Sequence, residues 1–456
     1  MFKEIRDLKP VSISVSVLTL VASWLLTLSL GMTIVGARAS ETDAGEQFSS
    51  LGGMQIALTC MSVLMCLPSV VKVAIRRDAR RIALWQVVGA SPRGARARYI
   101  GIATFSAVAG AAAGGLIAFV TWPTFGAAVK RTGLLTLPGF SEPLTVWAWI
   151  FGPASACVVL LVSLLMGTRQ LKKIEPVEAV MDLPERAPSR GIVRLIFSVL
   201  IISGIAAGYV AIGATSPPDN METLGGLLSA YWGTALGLLV AYGVSDRVVI
   251  TPIVRVVGAI IPLNALDSWV LAKTSARRRS TLSTSVITPL VVAASSVGCI
   301  FGMVNQMRNV MVASGASEAD LQVSPSSQII LIFGAPVIIS AFSGVIAVYL
   351  TNEWRRHDVA LLQTLGATTS AIRWSAFFEC VIYLVSAVLI ATMILGVNAV
   401  AMGCALNHGP VPGASPVWIG NETYWLLAAG FSLLGVSIIL PTVRESRKLT
   451  MTAIVR

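Results

Sequence analysis

The chain has 456 residues, 55% of them hydrophobic and 12% charged, with a formal net charge of +12. A soluble domain carries about 25% charged residues, so most of this chain is excluded from water. Six cysteines and two histidines leave little material for a disulfide framework or a metal site.

Ten stretches reach the roughly 20 apolar residues that a bilayer-spanning helix needs, at about 12–35, 51–75, 99–122, 145–167, 193–214, 224–245, 283–305, 328–351, 375–401 and 423–441. Their Gly and Ala content and lack of alternating polarity favour helices over a membrane barrel. The first stretch follows "MFKEIRDLK" and ends in "GARAS", where Ala37 and Ala39 resemble a signal-peptidase site. The uncharged run from 11 to 37 is longer than a signal core of about 7–15 residues, so a retained anchor is expected. In the third stretch Gly110 and Gly114 form a GxxxG pair, which permits close helix approach, by default within the bundle. Residues 246–265, "DRVVITPIVRVVGAIIPLNA", are apolar enough to suggest an eleventh span. Arg255 at its centre would cost roughly 3 kcal/mol there, and Pro252 and Pro262 interrupt it. An interfacial helix is expected instead.

With ten spans and the N-terminus inside, 30 of the 34 Lys and Arg fall on the cytoplasmic side. Only Arg38, Lys130, Arg131 and Arg308 fall outside, whereas nine acidic residues do. This is the positive-inside bias, and it orients the chain. The basic charge is therefore a topological signal and a source of contact with anionic membrane lipid. It does not point to nucleic acid. The outside loops are short, so no large extracytoplasmic domain is expected. Of Cys60, Cys66, Cys157, Cys299, Cys380 and Cys404, only the last lies outside a predicted span, and no CxxC pair occurs. They read as small buried hydrophobes.

Two cytoplasmic segments resemble each other. "RRIALWQVVGASPR" covers 80–93 and "HDVALLQTLGATTS" covers 357–370. Gly89 and Gly366 align at an offset of 277, bringing Ile82, Ala83, Leu84 and Gln86 onto Val359, Ala360, Leu361 and Gln363. "KKIEPVEAVM" at 172–181 and "RKLTMTAIVR" at 447–456 match in position, as do the basic segments before the first and seventh spans. The expected architecture is an all-α polytopic membrane protein with about ten transmembrane helices. Residues 1–181 and 266–456 form two parallel four-helix repeats. Residues 182–265 supply a connecting helix pair and the interfacial segment.

Each repeated segment reads as a short amphipathic helix, a glycine stop, then a capped second helix. Leu84, Trp85 and Val88 supply an apolar face in the first copy, and Leu361, Leu362 and Leu365 in the second. Gly89 and Gly366 suit the left-handed position that ends a helix. Ser91, with Pro92 following, and Thr368 or Thr369 suit the next N-cap. The expected product is a pair of rigid cytoplasmic projections, or else a pair of ordinary turns resting on headgroups.

The Arg-rich start, short apolar helix and Leu/Val-Gly-Ala-Ser/Thr ending resemble the signature of FtsX-like permeases. These are the membrane subunits of MacB-type ABC transporters, and the ten-span form is the most similar. The resemblance implies coupling to a separate ATPase, in two copies, through Arg80, Arg81, Ile82, Leu84, Gly89 and Ala90. In the second copy it implies Asp358, Val359, Leu361, Gly366 and Ala367. Arg81 reverses the acidic charge that the family commonly has and that Asp358 retains. MacB-type members usually carry a large extracytoplasmic domain, which this chain lacks.

"GASPRGAR" at 89–96 has half of a phosphate loop, but Ala95 stands at the lysine position. The chain is therefore expected to hydrolyse nothing itself and to need no cofactor. Glu379 lies inside the ninth span, where an ionisable group is a functional candidate. Snorkelling or a helix–helix hydrogen bond is the structural alternative. The implied function is export or membrane extraction of an amphiphile (lipid, peptide or antibiotic-like) by a bacterial inner-membrane complex. A signal transmitter and a proton-coupled carrier using Glu379 are the alternatives. Cysteine labelling tests the orientation: introduced sites in 76–98, 268–280 and 355–373 should be protected from external impermeant reagent. External labelling at 268–280 would exclude the two-repeat organisation.

Overall fold

The structure is a computed structural model. It describes residues 9–39, 43–78, 89, 91–131, 144–168, 192–214, 221–260, 267–278, 280–313 and 334–408, with isolated positions 411, 416, 424, 425 and 428. Among these, every regular element is an α-helix: α1 Lys9–Arg38, α2 Asp43–Arg77, α3 Pro92–Arg131, α4 Val146–Thr168, α5 Ile192–Gly213, α6 Met221–Ile260, α7 Asp267–Arg278, α8 Ser280–Ala313, α9 Ala335–Thr364 and α10 Thr369–His408. A helix satisfies its backbone hydrogen bonds internally, as lipid requires. Seven helices are long and apolar enough to span a bilayer: α1 to α5, α8 and α10. The chain is an all-α, multi-pass membrane protein.

The remaining predicted stretches fare differently. In α6, Ser229–Asp246 and Val248–Ala259 pass the same test only as a pair, bent by 79°. The bend falls at the start of the segment expected to leave the span direction. The apolar part of α9, Ala335–Leu350, is shorter than a full span. The tenth stretch lies outside the described residues except Tyr424, Trp425 and Ala428.

The chain divides into two compact units, Met1–Arg186 with Ser324–Thr351, and Ala187–Val323 with Asn352–Arg456. In the first, α1 packs against α2, α3 and α4. Its contact with α3 rests on small residues. A Cβ on Gly110 would run into the carbonyl oxygen of Ser16, and one on Gly114 into that of Leu20. The backbones are then close enough for hydroxyls to cross. Ser16 Oγ donates to the Ser106 carbonyl at 2.8 Å and Ser23 Oγ to the Ala111 carbonyl at 2.8 Å. Trp24 Nε1 donates to Thr121 Oγ1 at 2.8 Å. The GxxxG pair thus serves packing within the bundle.

The first half of α9 belongs to this unit, not to the part of the chain that follows it. Ile339, Ile346 and Leu350 join Val63, Leu67 and Val70 of α2 in one core. Cys66 Sγ lies 3.8 Å from Ser340 Oγ. In the second unit α8 packs on α6 and α10, α5 on α6 and α10, and α7 on α10. The helix pair α5–α6 therefore packs with this unit. Burial of apolar faces sets the limits of the units, and it follows proximity in space more than order in sequence.

Gly114→Leu should drive a side chain into α1, at a cost of about 1–3 kcal/mol or more. A Cβ at Gly101 meets nothing within 4 Å, and alanine there favours the helix. Thermal unfolding in detergent should show a lower midpoint for Gly114→Leu and an equal or higher one for Gly101→Ala.

Candidate functional site

The segment around Gly366 is closed by its own backbone. No glycine or proline occurs between 351 and 364, so the hydrogen-bond ladder runs on from Ala335 through the repeated segment. The expected separate short helix is instead the last turns of α9. At its end Leu365 N donates to the Leu361 carbonyl at 3.1 Å, Gly366 N to that of Gln363 at 3.0 Å, and Ala367 N to that of Leu362 at 2.9 Å. The last two bonds are the paired closure of a helix that ends in a left-handed residue. Gly366 has φ +87°, a conformation that glycine adopts without steric cost. Thr368 Oγ1 then accepts from Ala371 N at 3.2 Å, capping α10. Four residues, 365–368, therefore join two helices of 30 and 40 residues.

The first copy shows the same devices where it is described. Gly89 has φ +103°. Ser91 Oγ accepts from Gly94 N at 3.1 Å, with Pro92 at the first position of α3. Helices α3 and α10 begin at Pro92 and Thr369 and end at Arg131 and His408, 277 positions apart at both ends. Arg80, Arg81, Ile82, Leu84 and Ala90 lie outside the described residues.

Exposure sorts the second copy. Leu365 is 83% exposed and Leu361 49%, while Val359 is buried. Gly366 is exposed and Ala367 half-buried; Asp358 is helical, and its side chain is not among those described. Of the expected apolar face, Leu362 is half-buried. Trp374 and Phe377 add exposed aromatic surface on the first turns of α10. The result is a stiff corner that presents leucines outward while Val359 anchors it.

Glu379 sits ten residues into α10 and is buried. Tyr383 OH, one turn on, donates to its Oε1 at 2.7 Å. Ser283 Oγ donates to the Ala276 carbonyl at 2.9 Å, across the junction of α7 and α8, and lies 3.5 Å from Tyr383 OH. Beside them Trp269 of α7 meets Phe378 edge-on at 5.5 Å, and Phe378 contacts Trp374 at 5.8 Å. Glu379 is thus held inside the helix packing and does not snorkel. Its bond to Tyr383 stays within α10, and Tyr383 OH in turn faces Ser283 at the α7–α8 junction.

A second polar centre was not apparent from sequence. Asn398 of α10 is fully buried. Its Oδ1 accepts from Tyr209 OH of α5 at 2.6 Å and from Thr234 Oγ1 of α6 at 3.0 Å. Each of these polar residues occurs singly in its span, and the fold gathers them. The one signal was a lone amide in the run "ILGVNAVAMG". All six cysteines are free thiols, and among the described residues no group of three or more His, Cys, Asp or Glu could hold a metal ion.

Removing the acceptor should separate the roles of Glu379. Glu379→Gln keeps an oxygen for Tyr383 and should unfold within a few degrees of wild type in detergent. Glu379→Ala removes the buried acceptor that Tyr383 OH donates to, at about 1–3 kcal/mol, and should lower the midpoint clearly. Equal midpoints for Ala and Gln would remove the structural role. No family model and no curated protein matches this chain.

Proposed function

We propose that the chain is a permease subunit of an FtsX-like, MacB-type ABC system, with ten spans in two parallel repeats. It sits in a bacterial plasma membrane with both termini cytoplasmic. Two copies of a separate ATPase dock at the Gly89 and Gly366 corners. Their closure on ATP tilts the helical units and expels or extracts an amphiphile from the membrane.

The observation that supports this reading is the corner itself. Gly366 at positive φ, two backbone closures and the Thr368 cap make it rigid. Leu361 and Leu365 project from it without burial. Gly89 and Ser91 repeat the glycine and the cap 277 positions earlier. A rigid apolar projection is costly in water unless a partner covers it.

The test is co-purification of an ATPase with the chain in mild detergent, with hydrolysis measured. A Cβ at either glycine meets nothing within 4 Å, so the cost of Gly89→Val or Gly366→Val is backbone strain alone, about 1–3 kcal/mol. Membrane insertion should survive. Bound ATPase or coupled hydrolysis should fall for each and most for the double substitution, whereas Gly366→Asn should be milder because Asn tolerates positive φ. Normal ATPase binding and full activity in the double variant would make these corners ordinary interfacial turns. Transport driven by a proton gradient with no ATPase present, abolished in Glu379→Gln, would support the carrier reading instead.

A further inference from the structure

The bent end of α6 and the helix α7 carry a cluster of cations that the coupling reading does not use. In the bent segment Ile250, Val254, Val257 and Gly258 are buried. Val248 (68%), Val256 (53%) and Arg255 of the same segment are exposed. In α7 Trp269, Ala272 and Ala276 are buried, while Val270, Thr274 and Arg277 are exposed. The two helices meet where the Lys273 stem lies along Gly258: a Cβ there would come within 3.2 Å of Lys273 Cγ. Arg255 lies about one turn before Gly258, and Arg277 one turn after Lys273. Three cations therefore lie within about one helical turn of the point where the two helices meet. Of the acids on α6 and α7 nearest to them, Asp246 is buried and Asp267 lies six residues before Lys273, at the far end of α7.

Exposed valines beside exposed cations suit neither water nor acyl chains alone. They suit the boundary between headgroups and acyl chains. The location agrees. The segment starts at the 79° bend of α6. Helix α7 packs against α10, where Trp269 meets Phe378 near that helix's first turns.

We propose that the bent end of α6 and α7 form a binding site for an anionic phospholipid, with Arg255, Lys273 and Arg277 on its phosphate and Val248, Val256 and Val270 against its acyl chains. The site requires only that the helices span a membrane, and it stands whether or not an ATPase docks at the glycine corners. A basic side chain near a membrane surface contributes about fivefold in anionic-lipid affinity, so three contribute on the order of 100-fold.

The test is binding of phosphatidylglycerol to the full chain in detergent, with phosphatidylcholine and glycerol phosphate as comparison ligands. Wild type should prefer phosphatidylglycerol to both. The triple variant Arg255→Gln/Lys273→Gln/Arg277→Gln should lose on the order of 100-fold, and the exposed Arg93→Gln should lose nothing. Lys273→Arg should retain binding. Should the triple variant fold poorly, Arg255→Gln alone should lose about fivefold. Equal binding of the two lipids, or an unaltered affinity in both the triple and the single variant, would overturn the proposal. Glycerol phosphate binding as well as the lipid would also overturn it, in favour of a site for soluble phosphate.

Discussion

A helix end within or beside a bilayer must satisfy up to four N–H and four C=O groups, and lipid offers no partner for them. The corner at Gly366 meets this demand locally. Its two backbone closures and the Thr368 cap use only residues 362 to 371. Because nothing outside the turn is needed, the corner's side chains are left for other contacts. Gly89 and Ser91 place the same glycine and cap before α3. A left-handed residue between two long helices is a cheap hinge-stop only when it is glycine.

The same demand shapes the interior of the bundle. Thr19, Thr27 and Ser29 of α1 return their hydroxyls to carbonyls one turn back, so they are buried without seeking partners elsewhere. Ser16 and Ser23 instead reach carbonyls of α3. That is possible because Gly110 and Gly114 bring the two backbones together. Small residues and hydroxyls act jointly here: close approach supplies dispersion contact, and the hydrogen bonds set the register.

The two long helices after the glycine corners carry different polar residues on a common frame. At an offset of 277, Glu379, Tyr383 and Asn398 of α10 correspond to Ile102, Ser106 and Thr121 of α3. Thr121 and Asn398 both accept hydrogen bonds from another helix, from Trp24 in one case and from Tyr209 and Thr234 in the other. Ser106 accepts through its carbonyl from Ser16, whereas Tyr383 donates to Glu379. Only α10 bears a buried carboxylate at its start. An amide and a carboxylate in a low-dielectric interior are costly unless bonded: Asn398 Oδ1 is bonded from α5 and α6, and Glu379 from Tyr383 one turn along α10 itself.

Much of this was legible in the chain itself. Apolar run length marked helices as the only economical backbone, since strands in lipid need closure and alternation. Gly89, Gly366, Ser91 and Thr368 were readable because positive φ and N-capping are demands of the local backbone, met within a few residues. What sequence could not decide was which faces meet. Ile339 and Leu350 read as part of a second repeat, yet they bury against α2. Asn398 carries no sequence signal beyond its amide, yet hydroxyls of α5 and α6 both donate to it. Glu379 was equally compatible with snorkelling and with burial until Tyr383 and Ser283 were placed beside it. Local chemistry travels with the residue, whereas pairing across a bundle depends on helix rotation and proximity, and a uniformly apolar surface records neither.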